Sequence, residues 1–312
     1  MLLSTTDAEI LKKNRVIQGI EFTKGTSVYF DEYGRLKYVL LDKQHKIQGF
    51  SFLKGTSVYF DEYGRLKYAY LLDSHNINKA VFNKGTSVYF DEGGSLTHAI
   101  FSIEQLIQNV ICPANKKIYF FSNGLLKKVY ITREQQINKI YAAPSSSVEF
   151  YKSGALKSIT LAKDSKVQKY PISKGSCLFF YDNGNLEYAY LNKPTIIDNI
   201  EVATGASLYF YRTGTIAWFI PNKNVTIMNL DIEGQKKVYL HESGKIKSCY
   251  LAQNQLIAQI NCASKKNVGF YESGNLKYAT IATDTFLDDK YIPAKSIIHL
   301  KENGSLKSVM TK

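Results

Sequence analysis

The sequence has few of the residues that build redox, metal or membrane-spanning structures. Four cysteines occur in 312 residues and none forms a Cys-x-x-Cys pair, which speaks against a zinc ribbon or a dithiol motif. Four scattered thiols make no disulfide framework and fit a reducing compartment. Cys112, Cys177, Cys249 and Cys262 fall in repeat columns otherwise held by Phe, Ser, Val or Ala, so they read as small buried hydrophobes. No apolar run is long enough for a membrane-spanning helix. The opening MLLSTTDAEILKKN lacks a basic stretch followed by a long apolar one. A cytoplasmic location is therefore expected, with export by a route lacking a conventional signal as the alternative. HExxH, P-loop, GxSxG and dinucleotide-binding fingerprints are all missing. His45 and His75 share a column beside a turn and read as solvated loop residues.

Glycine, by contrast, is placed with complete regularity. Gly34, Gly64, Gly94, Gly124, Gly154, Gly184, Gly214, Gly244, Gly274 and Gly304 follow one another at a spacing of 30, without insertion or deletion. The segment GTSVYFDEYGRLKY stands at 25–38 and, unchanged, at 55–68. Four residues before each glycine comes Phe, or Leu at Leu240 and Leu300; two after it comes Leu or Ile. Such a period marks a repeat protein whose units bury their apolar face only by stacking. The array is expected as one continuous run of ten units over 13–312, the last one possessing a more polar, cap-like composition. Residues 1–12 read as a partial repeat or N-terminal cap.

Each unit offers three strand-like pieces, in the second copy IQGFSF, SVYF and LKYAYL, separated by KGT and DEYG. Tyr at 23 and Phe at 17 suit the pleated surface of an all-β fold. Three strands per unit is an odd number, so a simple meander would alternate the direction of successive units. A coil avoids this, because every turn is a translation of the last. The expected fold is thus a parallel β-solenoid; an extended antiparallel sheet of hairpins is the alternative. Stacked carboxylates at Asp31, Asp61 and Asp91 argue against the coil.

Stretches such as VYFDEYGRLKYAYL, IYFFSNGLLKKVYI and VGFYESGNLKYATI resemble the MORN-variant repeats of bacterial proteins. The shared features are an aromatic pair, a polar turn ending in glycine, then Leu-Lys. They cover about half of each unit, and the 30-residue period is longer than is usual in that family. The resemblance implies an elongated β-repeat scaffold used for interaction, at membranes or in assemblies, with no catalytic residues.

Lys plus Arg number 40 against 27 Asp plus Glu, a net charge of +13. Lysine follows the column leucine at Lys37, Lys67, Lys127, Lys157, Lys247, Lys277 and Lys307. The next position holds Tyr38, Tyr68, Tyr188, Trp218 and Tyr278. Another column carries Tyr29, Tyr59, Tyr89, Tyr119, Phe179, Tyr209 and Tyr239. The plain reading is a solvated strand face with lysines guarding edges. The functional reading is a pair of basic and aromatic stripes. Ten units pass without a spare loop to hold a reaction centre. A non-enzymatic structural or interaction scaffold is therefore expected, with no cofactor, metal or small-molecule substrate. Its partner would be a protein, or another copy joined through repeat edges or ends. The alternative is a module for an acidic polymer, a glycan or an anionic membrane; a glycan-processing β-helix enzyme using Asp31, Glu32, Asp61, Glu62, Asp91 and Glu92 stands third.

Overall fold

The computed structural model describes residues 8–77 and 80–311. Residues 1–7, part of the partial repeat expected over 1–12, lie outside the described residues, as do Asn78, Lys79 and Lys312. The chain separates into two compact units, Met1–Lys157 and Ser158–Lys312.

Unit 1 is built on an antiparallel sheet whose strands pair in chain order. Glu9–Ile10 is followed by Ser27–Phe30, Leu36–Leu40, Ser57–Phe60, Leu66–Tyr70, Ser87–Phe90, Leu96–Ile100, Lys117–Phe120, Leu126–Ile131 and Ser146–Phe150. Between each pair of sheet hairpins the chain makes a separate two-stranded hairpin. The first three are Arg15–Ile17 with Ile20–Phe22, His45–Ile47 with Phe50–Phe52, and His75–Ile77 with Ala80–Phe82. Unit 2 repeats the plan. Cys177–Phe180, Leu186–Leu191, Gly205–Phe210, Ile216–Phe219 and Val238–Leu240 pair in succession, then Ile246–Tyr250, Asn267–Phe270, Leu276–Thr280, Ile297–Leu300 and Leu306–Met310.

The sheet is antiparallel throughout the pairings within each unit, which overturns the parallel solenoid. The physical reason lies in the piece IQGFSF. Gln48 and Gly49 have φ of 46° and 93°. Two successive left-handed residues make the tight primed turn that matches the twist of antiparallel strands. The piece is therefore two strands and not one. Each repeat contributes two strands to the sheet and two to the small hairpin. With an even number, successive repeats run the same way, and the objection to a sheet disappears.

The core of each unit lies between the sheet and its row of small hairpins. Val28, Leu36, Val39 and Leu41 are buried from the sheet side, and Ile17 and Phe22 from the hairpin side. Phe22 packs edge-on to Phe60, Phe52 to Phe90 and Phe82 to Phe120, with centroids 6.3, 6.4 and 5.4 Å apart. These are the columns visible in the sequence.

Polar side chains close the backbone within and between repeats. Gln48 accepts a hydrogen bond from Leu66 N at 2.8 Å and donates one to Gly64 O at 2.9 Å, tying the small hairpin to the sheet turn. Gln105 accepts from Asn83 N, and Gln135 from Ile111 N, at 3.1 and 2.8 Å. His75 stands in for glutamine in that column: Nε2 accepts from Leu53 N at 2.8 Å while Nδ1 donates to Asp73 O at 2.7 Å. It is buried, which corrects its reading as a solvated loop residue. The unpaired edges of the small hairpins account for these buried polar groups.

The sheet turns explain the acidic column. Asp31 accepts from Tyr33 N and Arg35 N, both at 2.9 Å, and pairs with Arg35 Nε at 2.7 Å. Burial alone would raise its pKa, but the bonds from Arg35 and Tyr33 outweigh it and hold the carboxyl below its ordinary value. Asp61 is engaged in the same way within its own turn. Later repeats replace the aspartate by tyrosine and use it across repeats: Tyr181, Tyr211 and Tyr271 hydroxyls donate to Phe210 O, Leu240 O and Leu300 O at 2.9, 2.8 and 2.9 Å.

Candidate functional site: the open sheet face

The face of each sheet turned away from the small hairpins carries the aromatic columns. The sheet hairpin pairs Tyr29 with Tyr38 and then Phe30 with Leu36, so the register slips by one residue. Lys37 is the extra residue of this bulge. It is exposed beside Tyr38, while Leu36 and Val39 remain buried. The same slip recurs opposite Leu66, Leu126, Leu186 and Leu276. The Leu-Lys-Tyr run thus has a structural cause, since a bulge lets core, lysine and tyrosine sit in three successive positions.

In unit 1 the rings stack into a ladder that runs across the strands. Centroid separations are 3.9 Å for Tyr29–Tyr38, 4.9 Å for Tyr38–Tyr59 and 4.0 Å for Tyr59–Tyr68. They continue at 5.4 Å for Tyr68–Tyr89, 4.3 Å for Tyr89–His98 and 5.9 Å for His98–Tyr119. Stacked this way, the rings cover each other's faces, and neighbouring phenols hydrogen-bond, Tyr38 with Tyr29 and Tyr68 with Tyr59. Burial, and next the hydrogen bond with Tyr29, pushes the Tyr38 phenol up to about 12. Burial likewise raises Tyr68. Both hydroxyls are protonated donors at neutral pH. The pKa of His98 is lowered, first by burial and then by the charge of Lys117.

Lys37 and Lys67 have no ion pair among the described residues. Lys127 lies over Phe121 at 5.8 Å. Glu149 enters the ladder position opposite Lys128 and pairs with it at 3.0 Å, and with Lys157 at 4.0 Å. Lys157 also lies over Tyr151 at 5.9 Å.

Unit 2 carries a looser ladder. Phe179–Tyr188, Tyr188–Tyr209 and Tyr209–Trp218 stand 5.7, 6.2 and 5.8 Å apart. Lys237 Nζ lies 4.0 Å from the centroid of Trp218. Tyr278 lies 5.8 Å from His299, and Lys277 leans over Tyr271 at 5.2 Å. Lys247 is exposed. All eleven residues singled out from the sequence therefore stand on the open faces, six in unit 1 and five in unit 2. Column counting passed over His98, Lys117 and Lys237. His98 lies four residues after Gly94, in the Tyr38 column, and was legible there.

No protein-family model and no curated protein matches the sequence. Solved structures to which the chain is similar include the modular autolysin LytC from Streptococcus pneumoniae, in complex with a synthetic peptidoglycan ligand. That match has 15% identity and a TM-score of 0.19, over 90% of this chain and 46% of LytC. A second LytC structure gives a TM-score of 0.18 at the same identity and coverage. TcdB2-TccC3-Cdc42 matches at 11% identity over 98% of this chain and 16% of that one, with a TM-score of 0.17. The chain spans about half the length of LytC.

Of the four cysteines, Cys177 is half-buried and the other three belong to the core. Cys112, Cys249 and Cys262 are buried, and burial raises their thiols to about 12, 12 and 11.

Proposed function

We propose that the protein is a non-enzymatic interaction scaffold and that the open sheet face is its recognition surface. The observation that carries this reading is the ladder of unit 1. Rings stacked from Tyr29 to His98, with Tyr119 tilted against the last, form one ordered strip, edged by the bulge lysines Lys37, Lys67 and Lys127. Holding long side chains in a single arrangement before a partner arrives lowers the ordering cost of binding. A row of exposed ammonium groups raises the local concentration of an anionic partner.

Retention on heparin-agarose tests the reading. Unmodified protein is expected to bind and to elute with salt. A variant with Lys37, Lys67, Lys127 and Lys157 changed to Glu is expected to pass through while keeping its far-ultraviolet circular dichroism. The control changes Lys24, Lys54, Lys84 and Lys174 to Glu, four lysines of the turn before the sheet strand. It carries the same net charge and is expected to be retained. Equal loss of retention in both variants would mean that net charge alone is being read, and would end the proposal.

A further inference from the structure

The lysines of the open face in unit 1 have a fixed pitch. Each repeat adds two strands to the sheet, and neighbouring strands lie about 4.8 Å apart, so equivalent lysines recur at about 10 Å. Lys37 and Lys67 stand in consecutive repeats, Thr97 interrupts the column, and Lys127 and Lys157 resume it. The phenol hydroxyls of Tyr29, Tyr38, Tyr59, Tyr68 and Tyr89 run beside them on successive strands.

In the first three repeats Asp31, Glu32, Asp61, Glu62, Asp91 and Glu92 sit at the tips of the sheet hairpins, and in the fifth Glu149 stands on the face itself, paired with Lys128 and Lys157. Asp31 and Asp61 are neutralised by Arg35 and Arg65, with contacts of 2.7 and 2.6 Å. Glu92 pairs with Arg65 at 3.1 Å, and Glu32 and Glu62 are exposed. In the first three repeats, where Glu32 and Glu62 are exposed, an anion is repelled at the tips and attracted along the ladder by Lys37 and Lys67, so the favourable path there crosses the strands.

Two features select among polyanions. A single-stranded nucleic acid gains its affinity by stacking bases on open aromatic faces. Here the faces from Tyr29 to His98 are covered by neighbouring rings at 3.9–5.4 Å. A nucleic acid also carries a phosphate on every nucleotide, denser than the lysine pitch. Two hexose rings in extended linkage advance by about as much as two β-strands. A glycan with one acidic group per disaccharide therefore presents charge at the lysine spacing and hydroxyls to the phenol row between. We propose that the open face of unit 1 is a track for a linear acidic glycan bearing one carboxylate or sulfate per disaccharide. This inference rests on the reading of that face as a recognition surface.

The test is calorimetric titration of the full chain with hyaluronan oligosaccharides, which carry one carboxylate per disaccharide. Poly(U) RNA and phosphatidylserine vesicles are titrated at the same salt. Affinity for hyaluronan is expected to rise at least tenfold from tetra- to decasaccharide. The double variant Lys37→Gln/Lys67→Gln is expected to lose at least tenfold in affinity and to show a shallower salt dependence. Tyr38→Phe/Tyr68→Phe keeps the stacked rings and is expected to lose at least threefold. Tighter binding of RNA or vesicles than of hyaluronan would overturn the proposal, as would indifference to both double variants. The heparin column separates the two levels. If hyaluronan does not bind but retention still depends on the four lysines, the glycan class is wrong and the recognition face stands. If retention is also indifferent to them, both fall.

Discussion

His98 is where the ladder of unit 1 meets the physiological pH range. Burial, and then Lys117, depresses its pKa below the ordinary 6.5. The unfolded chain binds a proton near pH 6.5 that the folded chain takes up only at lower pH. The stability contributed by the neutral ring is thus present above about pH 6.5 and is lost as pH falls through the folded pKa. Urea titrations at pH 7 and 5.5 are expected to show a smaller pH-dependent loss for His98→Phe than for the unmodified chain; equal losses would contradict this. The glycine column makes a second residue-scale claim. Gly34 has φ of 75°, and the nine glycines that follow it at the 30-residue spacing are also left-handed. Gly34→Ala meets no atom within 4 Å, so its cost is backbone strain alone, about 1–2 kcal/mol. A loss below a few tenths in chemical denaturation would show that the turn relaxes. This column was plain in the sequence because only glycine fits there. The primed turns were not, because Gln-Gly, Gln-Asn and Asp-Asn all serve, at Gln48, Gln108 and Asp198, and no single residue type marks them.

The small hairpin is the element that decided the fold. Read as one strand, it made each repeat odd and favoured a coil; read as two, it makes the sheet inevitable. Its alternation of apolar and polar residues slips by one at Gln48-Gly49, which stand as two consecutive non-apolar residues between the paired Ile47 and Phe50, and that slip is the only mark of the reversal in the periodicity. Its polar clamps were equally hidden, since His75 and Gln105 share a column yet look like loop residues. Their equivalence is testable. His75→Gln is expected to keep the bond to Leu53 N and most of the stability. His75→Ala strands that amide and is expected to cost about 1–3 kcal/mol. Hydrogen exchange at Leu53 should accelerate in the alanine variant only; acceleration in both would show that glutamine does not replace the clamp. Across repeats, Tyr211→Phe removes the hydroxyl bond to Leu240 O and is expected to cost about 1 kcal/mol by urea unfolding. No change would mean that water replaces the bond.

At the scale of the molecule, one 30-residue module recurs within each unit, copies closing the backbone of their neighbours and presenting an open sheet face. The period, the core columns and the placing of lysine and tyrosine on a common stripe were all legible, because burial and turn chemistry fix them locally. Strand direction was not, because it depends on pairing between distant residues. The open face draws its proposed recognition role from the repetition, as no single repeat holds more than one or two bulge-edge cations. Removal of one whole module tests this modularity most directly. Residues 25–38 and 55–68 are identical, so deleting 35–64 joins Gly34 to Arg65 and leaves a native-like junction. Unchanged circular dichroism per residue is expected, with a calorimetric unfolding enthalpy lower by about one tenth, in proportion to length, whereas deletion of 35–49 abolishes the cooperative transition. Collapse on removing 35–64, or tolerance of losing 35–49, would contradict the modular fold.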